Sequence, residues 1–509
     1  MGLVPYALWI QGCAPDGDGR RAAVRGSLVF GAVYFGILFY WILVALVWFT
    51  KLAVLAYLGA MVLLVGLAAL VGWALHRVHH DLSVPLWLAL PVVWTAGEWF
   101  RAHWPGPLAF PWLGLGTSLT GFPELVGVAE VVGARGVTFW LALVNGLVAT
   151  ALFRKASGET TRGFVAVIVL VVGGPAGGGV WRASTLETYS LATVAVVQPH
   201  VPEHVKLDPP AALDSTFASL DRLLPALEPG SVDLVVFPEV TFTTYPRSAG
   251  AAWVVDRVQD LSRELGAPIL FGSLGFVEDG RGGATRFNSA FLMEPQGLTG
   301  FQYDKRYLVP VVERAPLLPD AVIRRLPYFG SFGVGEGWPL AEVNGVSYGV
   351  QVCYESTYPQ GARTLRLEGA DVLVNITNDS WYGREPWWSR TTALWQHPAH
   401  LVMRAIENRM GVARAANTGI SLFVDPVGRV HDATPLFQPD LRVAQVYGTG
   451  IRTLYTRYGD LAGNGSAAAA VIMVVSALLV GRRRAHPLGG MAPLRHTDGG
   501  SLDPDGAGH

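Results

Sequence analysis

Charged side chains are scarce in this chain, 15% of 509 positions against 51% hydrophobic. A protein meeting water on every side carries more charge, so part of the chain belongs in lipid. Cysteine is scarcer still, with Cys13 and Cys353 alone, which excludes a disulfide-stapled framework. The two fall in segments assigned below to opposite sides of a membrane, so they are not expected to pair. Lysine occurs only at Lys51, Lys155, Lys206 and Lys305. No run of Lys and Arg is interleaved with aromatics, and the formal net charge is −1, so nucleic acid is not expected as a partner. His397 and His400 share a helical stretch without a third ligand and read as core or surface histidines, so neither a metal nor a cofactor is implied. No basic leader with a small-residue cleavage site precedes the first apolar run, and Cys13 reads as a plain loop cysteine.

What is present in quantity is apolar sequence of membrane length. A spanning helix needs about 20 apolar residues to cross about 30 Å of hydrocarbon. Six segments pass or nearly pass: 27–50, 52–75, 84–100, 137–153, 163–181 and 467–480. Residues 1–26 are left as an N-terminal stub, 27–185 as a helical membrane domain of about five spans and 456–484 as a C-terminal span. The tail, 485–509, is expected to be disordered and cytoplasmic. Arg20, Arg21 and Arg25, then Arg77, then Arg154, Lys155 and Arg162, then Arg482, Arg483 and Arg484 fall on alternate connections, which should face the cytoplasm. Five crossings then leave residues 186–455 outside. The loop 101–136, also outside, carries Trp104, Trp112 and Phe122, which read either as interface anchors or as the wall of an entrance.

Between about 190 and 450 the pattern changes to short β-branched runs alternating with helical periodicity, the signature of an α/β domain. Strands are expected at 192–197, 232–237, 268–271, 287–293, 346–352, 371–376 and 411–415, and helices at 210–228, 252–265, 359–368 and 391–409. Glu239 follows the run VDLVVFP, Cys353 ends YGVQVC, and Lys305 lies in FQYDKRYLVP after a glycine turn. Strand ends are where such folds place chemistry. Singly each signal is weak: a strand-end Glu is often an ion-pair or capping residue, a lone Cys core filler and a lone Lys a surface charge.

The order FPE, YDKRYLVPVVERAP, VCYES, NITNDSWYG resembles the carbon-nitrogen hydrolase, or nitrilase, superfamily. More narrowly, LVPVVERAP, NDSWYG, WQHPAHLVMRAIENR and NTGIS, framed by apolar helices, look like the apolipoprotein N-acyltransferase family over about residues 25–480. The resemblance implies a membrane helical bundle plus an α-β-β-α sandwich. It implies catalytic roles for Glu239 as general base, Lys305 as transition-state stabiliser and Cys353 as nucleophile, and supporting roles for Glu313, Tyr354 and Glu355. Trp381 matches an aromatic placed near the acyl substrate; with Tyr382, Trp387 and Trp388 and the apolar segment 315–340 it reads either as substrate contacts on a lid dipping toward lipid or as ordinary packing. The implied partners are a phospholipid acyl donor, a diacylglyceryl-modified apolipoprotein acceptor and the bilayer. The implied place is the bacterial cytoplasmic (inner) membrane, multi-pass, with the catalytic domain on the extracytoplasmic side. Two departures stand out: family members usually begin with further spans, and where they tend to carry Lys-Trp-Asp this chain has Leu207 between Lys206 and Asp208. A membrane-tethered amidase and a non-enzymatic scaffold are the competing readings.

Moving an acyl group from an ester to an amine suits a thiol, because a thioester is more reactive towards amines than the starting ester. With a reference pKa near about 8.5, a thiol needs an adjacent base at neutral pH. The resulting oxyanion needs fixed donors, for which an ammonium and the backbone N–H after the nucleophile suffice.

Overall fold

The computed structural model describes residues 1–47, 53–105, 108–278, 284–310, 312–314 and 332–485. Of the tail expected at 485–509 and the lid expected at 315–340, residues 486–509 and 315–331 lie outside the described residues.

Among the described residues seven helices build the membrane part: α1 (Val4–Gly12), α2 (Gly17–Val47), α3 (Ala53–Asp81), α4 (Leu86–Ala102), α5 (Ala129–Ala156), α6 (Arg162–Thr185) and, after the α/β domain with its short helices α7 (Glu203–Lys206) and α12 (Leu454–Tyr458), α13 (Leu461–Ala485). Five of them, α2, α3, α5, α6 and α13, are long and apolar enough to cross a membrane. Their outer faces keep large apolar residues uncovered, such as Val33 and Ile37 on α2, Leu55 and Val62 on α3, Val169 and Leu170 on α6, and Ile472 on α13. In water such a surface is costly, and in lipid it is the natural one. The remaining expected span, 84–100, is α4, whose 17 residues rise about 26 Å. Its last turns carry Glu98 and Arg101, and both turn inward to protein partners rather than out to lipid.

The stub expected at 1–26 is not loose. Tyr6, Ala7 and Ile10 of α1 pack among α3, α4 and α5, and α2 starts ten residues before the apolar run. Asp16 accepts the Gly19 N–H at 2.7 Å, capping that early start. Hydropathy finds the lipid-facing length but is blind to a helix that runs on into the polar interface.

The α/β domain carries two six-stranded sheets. One has strands in the order β12 (Asp440–Gly448), β1 (Tyr189–Gln198), β2 (Leu234–Val236), β3 (Ile269–Glu278), β4 (Ala284–Glu294), β5 (Gly297–Asp304). The other runs β11 (Val430–His431), β10 (Leu422–Val424), β9 (Gly411–Ala416), β8 (Val372–Thr377), β7 (Val346–Val352), β6 (Leu340–Val343). Side chains alternate along a strand. In β1, accordingly, Val194 and Val196 pack against the opposite sheet, while Ala195 and Val197 pack under α8 (Pro209–Leu223) and α9 (Ala252–Leu265). On the second sheet α10 (Pro359–Glu368) and α11 (Ala393–Asn408) cover the outer face. Burial on both faces is why these strands read as continuous apolar runs. The result is the α-β-β-α sandwich expected from the resemblance.

The domain is fastened to the bundle. Arg409 pairs with Glu130 of α5 at 2.7 Å and Arg429 with Glu124 at 2.8 Å, while Arg135 of α5 pairs with Asp460 where the chain leaves the domain for α13. An aromatic cluster joins Phe35, Phe39 and Trp41 of α2 to Trp112, Tyr354 and Tyr382.

Candidate active site

Three strand ends converge between the sheets. Glu239 follows β2, Lys305 follows β5 and Cys353 follows β7. The turn assumed before Lys305 is in fact part of strand β5, whose two glycines and mixed polarity hide it in the sequence. All three residues are buried, Cys353 with 6% of its surface exposed.

The ammonium of Lys305 donates to Glu239 Oε1 at 3.1 Å and to Glu313 Oε1 at 2.9 Å. Asn288 on β4 donates to the same two oxygens at 2.7 and 3.0 Å. Glu239 Oε2 accepts the Asn378 N–H at 2.9 Å, and Glu313 Oε2 the Val309 N–H at 2.7 Å. Each carboxylate is therefore held at both oxygens. Burial would push the Lys305 ammonium down, but the flanking carboxylates outweigh it and raise its pKa well above the usual lysine value. It stays charged.

Cys353 takes a backbone φ of 54°, the left-handed region that a non-glycine residue occupies only under constraint. The constraint is visible. Its carbonyl accepts from Ser356 Oγ at 3.1 Å and lies 3.1 Å from His397 Nε2. His397 Nδ1 in turn lies 2.9 Å from Asp379, which Arg414 and Thr377 also hold. Burial, then the charge of Glu239, raise the thiol's pKa far above its ordinary value, while Lys305 pulls the other way. A resting thiol rather than a thiolate is the consequence.

Glu355 ties the pieces together. Fully buried, it accepts from Tyr303 Oη at 2.8 Å, from the N–H groups of Arg306 and Tyr307 at 2.7 and 3.1 Å, and from the Val352 N–H at 2.7 Å. One carboxylate thus links the loop that follows Lys305 to the strand end that precedes Cys353. Tyr354 lies beside the cysteine, its ring stacked on Trp112 at 6.1 Å.

Family profiles cover most of the chain: carbon-nitrogen hydrolase over residues 193–453, and the apolipoprotein N-acyltransferase N-terminal domain over 1–147. An apolipoprotein N-acyltransferase of Geobacter metallireducens is 32% identical over 511 residues, spanning 96% of this chain and 92% of that protein. The chain belongs to the apolipoprotein N-acyltransferase family. A second family member, from Chlorobaculum tepidum, is 31% identical over 74% of this chain and 73% of its own length. Among solved structures, a CN-hydrolase superfamily protein of Xanthomonas campestris aligns at 21% identity over 50% of this chain and 90% of its own, with a TM-score of 0.36.

The candidate acyl-contact residues are not all alike. Tyr382 is buried against Trp41 and Trp112, with centroids at 5.2 and 5.6 Å, and Trp381 packs at the edge of the same cluster. Trp387 and Trp388 stand outside it, 73% and 70% exposed. Trp112 is not an interface anchor: it is fully buried and stacks on His397 at 5.3 Å, with its indole N–H on Gln396 of α11. The two histidines are core residues, and His397 does more than fill space.

Sequence reasoning missed Asn288, the His397–Asp379–Arg414 network and Lys206. The Lys206 ammonium donates to the backbone oxygens of Glu239 and Val240 at 3.3 and 3.0 Å, fixing the turn that presents the carboxylate. Lysine scarcity was the one available signal, since two of the chain's four lysines stand at this site.

Proposed function

We propose that the chain transfers a fatty acyl group from a membrane phospholipid to the α-amino group of the N-terminal diacylglyceryl-cysteine of an apolipoprotein, through a thioester on Cys353. The observation that carries this is the single hydrogen-bonded cluster of Glu239, Lys305 and Glu313 acting on a buried thiol whose neighbouring wall includes α2, a membrane helix.

In the first half, Glu239 takes the thiol proton as sulfur attacks the ester carbonyl. The Lys305 ammonium and the Tyr354 N–H receive the oxyanion, a contribution of about 3 to 4 kcal/mol per donor in comparable sites. Collapse breaks the ester C–O bond, and Glu239 returns the proton to the lysophospholipid oxygen. In the second half, Glu239 takes a proton from the incoming amine as nitrogen attacks the thioester. The C–S bond breaks, the amide forms and the proton returns to the cysteine. Glu313, Asn288 and Glu355 hold the participants in place. The charge asymmetry of the connections supports an extracytoplasmic face for the domain, with both lipid substrates arriving laterally.

A tethered amidase would need one span, and five helices here have membrane length. The test is to give the full-length protein phospholipid alone and measure the mass of the Cys353 peptide. Gain of one acyl group supports the reading, and an unmodified cysteine favours an amidase.

A further inference from the structure

Where α4 meets the α/β domain, a guanidinium stands without a partner on one of its nitrogens. Arg101 is 4% exposed, donates from one nitrogen to the Leu113 carbonyl at 2.6 Å, and leaves the buried Nη1 without a hydrogen-bond acceptor. It lines two clefts. One is narrow and half-open and lies among α2, α3 and α4, with a mostly apolar wall that includes Tyr34, Phe35, Ala68 and Trp94. The other, similarly narrow, reaches the catalytic domain at Thr357 and Pro359, on the segment just after Cys353. Three arginines face that second cleft. Arg135 pairs with Asp460 and Arg404 with Glu407, and Arg101 forms no ion pair among the described residues. Glu98, one turn back on α4, lends nearby negative charge but no hydrogen bond, because its carboxylate is occupied by the Leu115 N–H, Thr138 Oγ1 and Trp94 Nε1.

A buried guanidinium at the end of a bundle helix is expensive when one nitrogen lacks an acceptor, and its planar fork suits phosphate better than any other lipid group. The cleft beside it is shaped for hydrocarbon. The aromatic cluster that includes Phe35 and Ala68 continues to Tyr354, next to the nucleophile. A molecule with an apolar tail, a phosphate and an ester a few bonds away could fill both clefts at once. Resting on the acyl-transfer reading above, we propose that Arg101 receives the phosphodiester of the donor glycerophospholipid and so sets its ester in register with Cys353, with acyl chain in the α2–α4 cleft.

The experiment compares two acyl donors on the full-length protein in mixed micelles: a diacyl phospholipid, and a p-nitrophenyl ester of the same fatty acid, which has no phosphate. The rate of Cys353 acylation is followed by mass spectrometry. Arg101→Gln should slow acylation from phospholipid by about tenfold to a hundredfold, the scale of losing charge-assisted hydrogen bonds. It should raise the half-saturating mole fraction while leaving the p-nitrophenyl ester within about twofold. Arg101→Lys, which keeps charge without the fork, should fall between. Equal slowing with both donors would mean a structural role and would overturn the assignment. Should Arg101→Gln fail to fold, the wild type decides: diacylglycerol, the same ester without phosphate, should need a much higher mole fraction than phospholipid, and equal values refute the idea. A rise in Tm with inorganic phosphate but no such donor preference would mark a free-anion site, and also refutes it. If neither donor acylates wild-type Cys353, the thioester reading itself fails, a result distinct from equal slowing.

Discussion

Glu313→Gln removes a charge while keeping the side chain's shape, and the geometry says it cannot be neutral. Oε1 of Glu313 accepts from Lys305 and Asn288 at 2.9 and 3.0 Å, and Oε2 accepts the Val309 N–H at 2.7 Å. An amide has one accepting oxygen and one NH2. With the oxygen towards Lys305 and Asn288, the NH2 opposes the Val309 N–H. Turned round, the NH2 opposes an ammonium and a second amide. Either way one buried charge-assisted bond is lost, worth about 1.5 to 3 kcal/mol, or about tenfold to 150-fold. We expect Cys353 acylation to slow by that factor, with the protein still folded. Lys305 lowers the thiol's pKa against burial and Glu239, so a displaced ammonium should also slow alkylation of Cys353 by iodoacetamide at fixed pH. A merely structural role would not move that second readout. Rates within twofold of wild type in both assays would refute the reasoning.

Cys353→Ala and Cys353→Ser should abolish transfer while leaving expression and membrane insertion unchanged; retained transfer in either variant would sink the mechanism. Because the thiol's pKa is raised by burial and by Glu239, it stays protonated through neutral pH and ionises only in alkali. The iodoacetamide rate should therefore climb steadily from pH 7 to 10, well past the range where a free thiol of pKa about 8.5 levels off; a plateau near neutrality would contradict this. Glu355→Ala removes the acceptor of three backbone N–H groups at about 1 to 3 kcal/mol each, so this variant should fail to accumulate folded under conditions where Cys353→Ala does. His397→Ala should cost about 1 to 3 kcal/mol in thermal unfolding and also slow acylation, since the Cys353 carbonyl loses one of its two partners; unchanged kinetics would make His397 a packing residue only.

The linear chain displays this architecture unevenly. Continuous valine-rich runs such as 192–197 and 232–237 mark doubly buried strands, because a strand covered on both faces has no polar alternation to blur it. Strands β5 and β12 lie at sheet edges with mixed faces, and their half-exposed side chains give no such signature. Glu239, Lys305 and Cys353 could be singled out as candidates because each lies in a motif that stays contiguous in sequence, and the fold brings all three to buried strand ends. Asn288, Lys206 and His397 act through contacts with residues many positions away, so nothing local marks them. Membrane spans were legible by length, yet the polar first turns of α2 and the inward-facing end of α4 depend on partners supplied elsewhere in the fold.

The two ion pairs and the aromatic seam that join the bundle to the sandwich imply a stationary workbench. Such fastening keeps the Cys353 sulfur at one height relative to the helices, so on the acyl-transfer reading proposed above selectivity falls on whichever ester or amine a substrate presents at that height. Excising residues 186–455 as a soluble fragment would strip away Trp41, Trp112 and Phe39 together, uncovering the flank of Tyr354 and leaving the elbow that holds Cys353 unsupported on its lipid side.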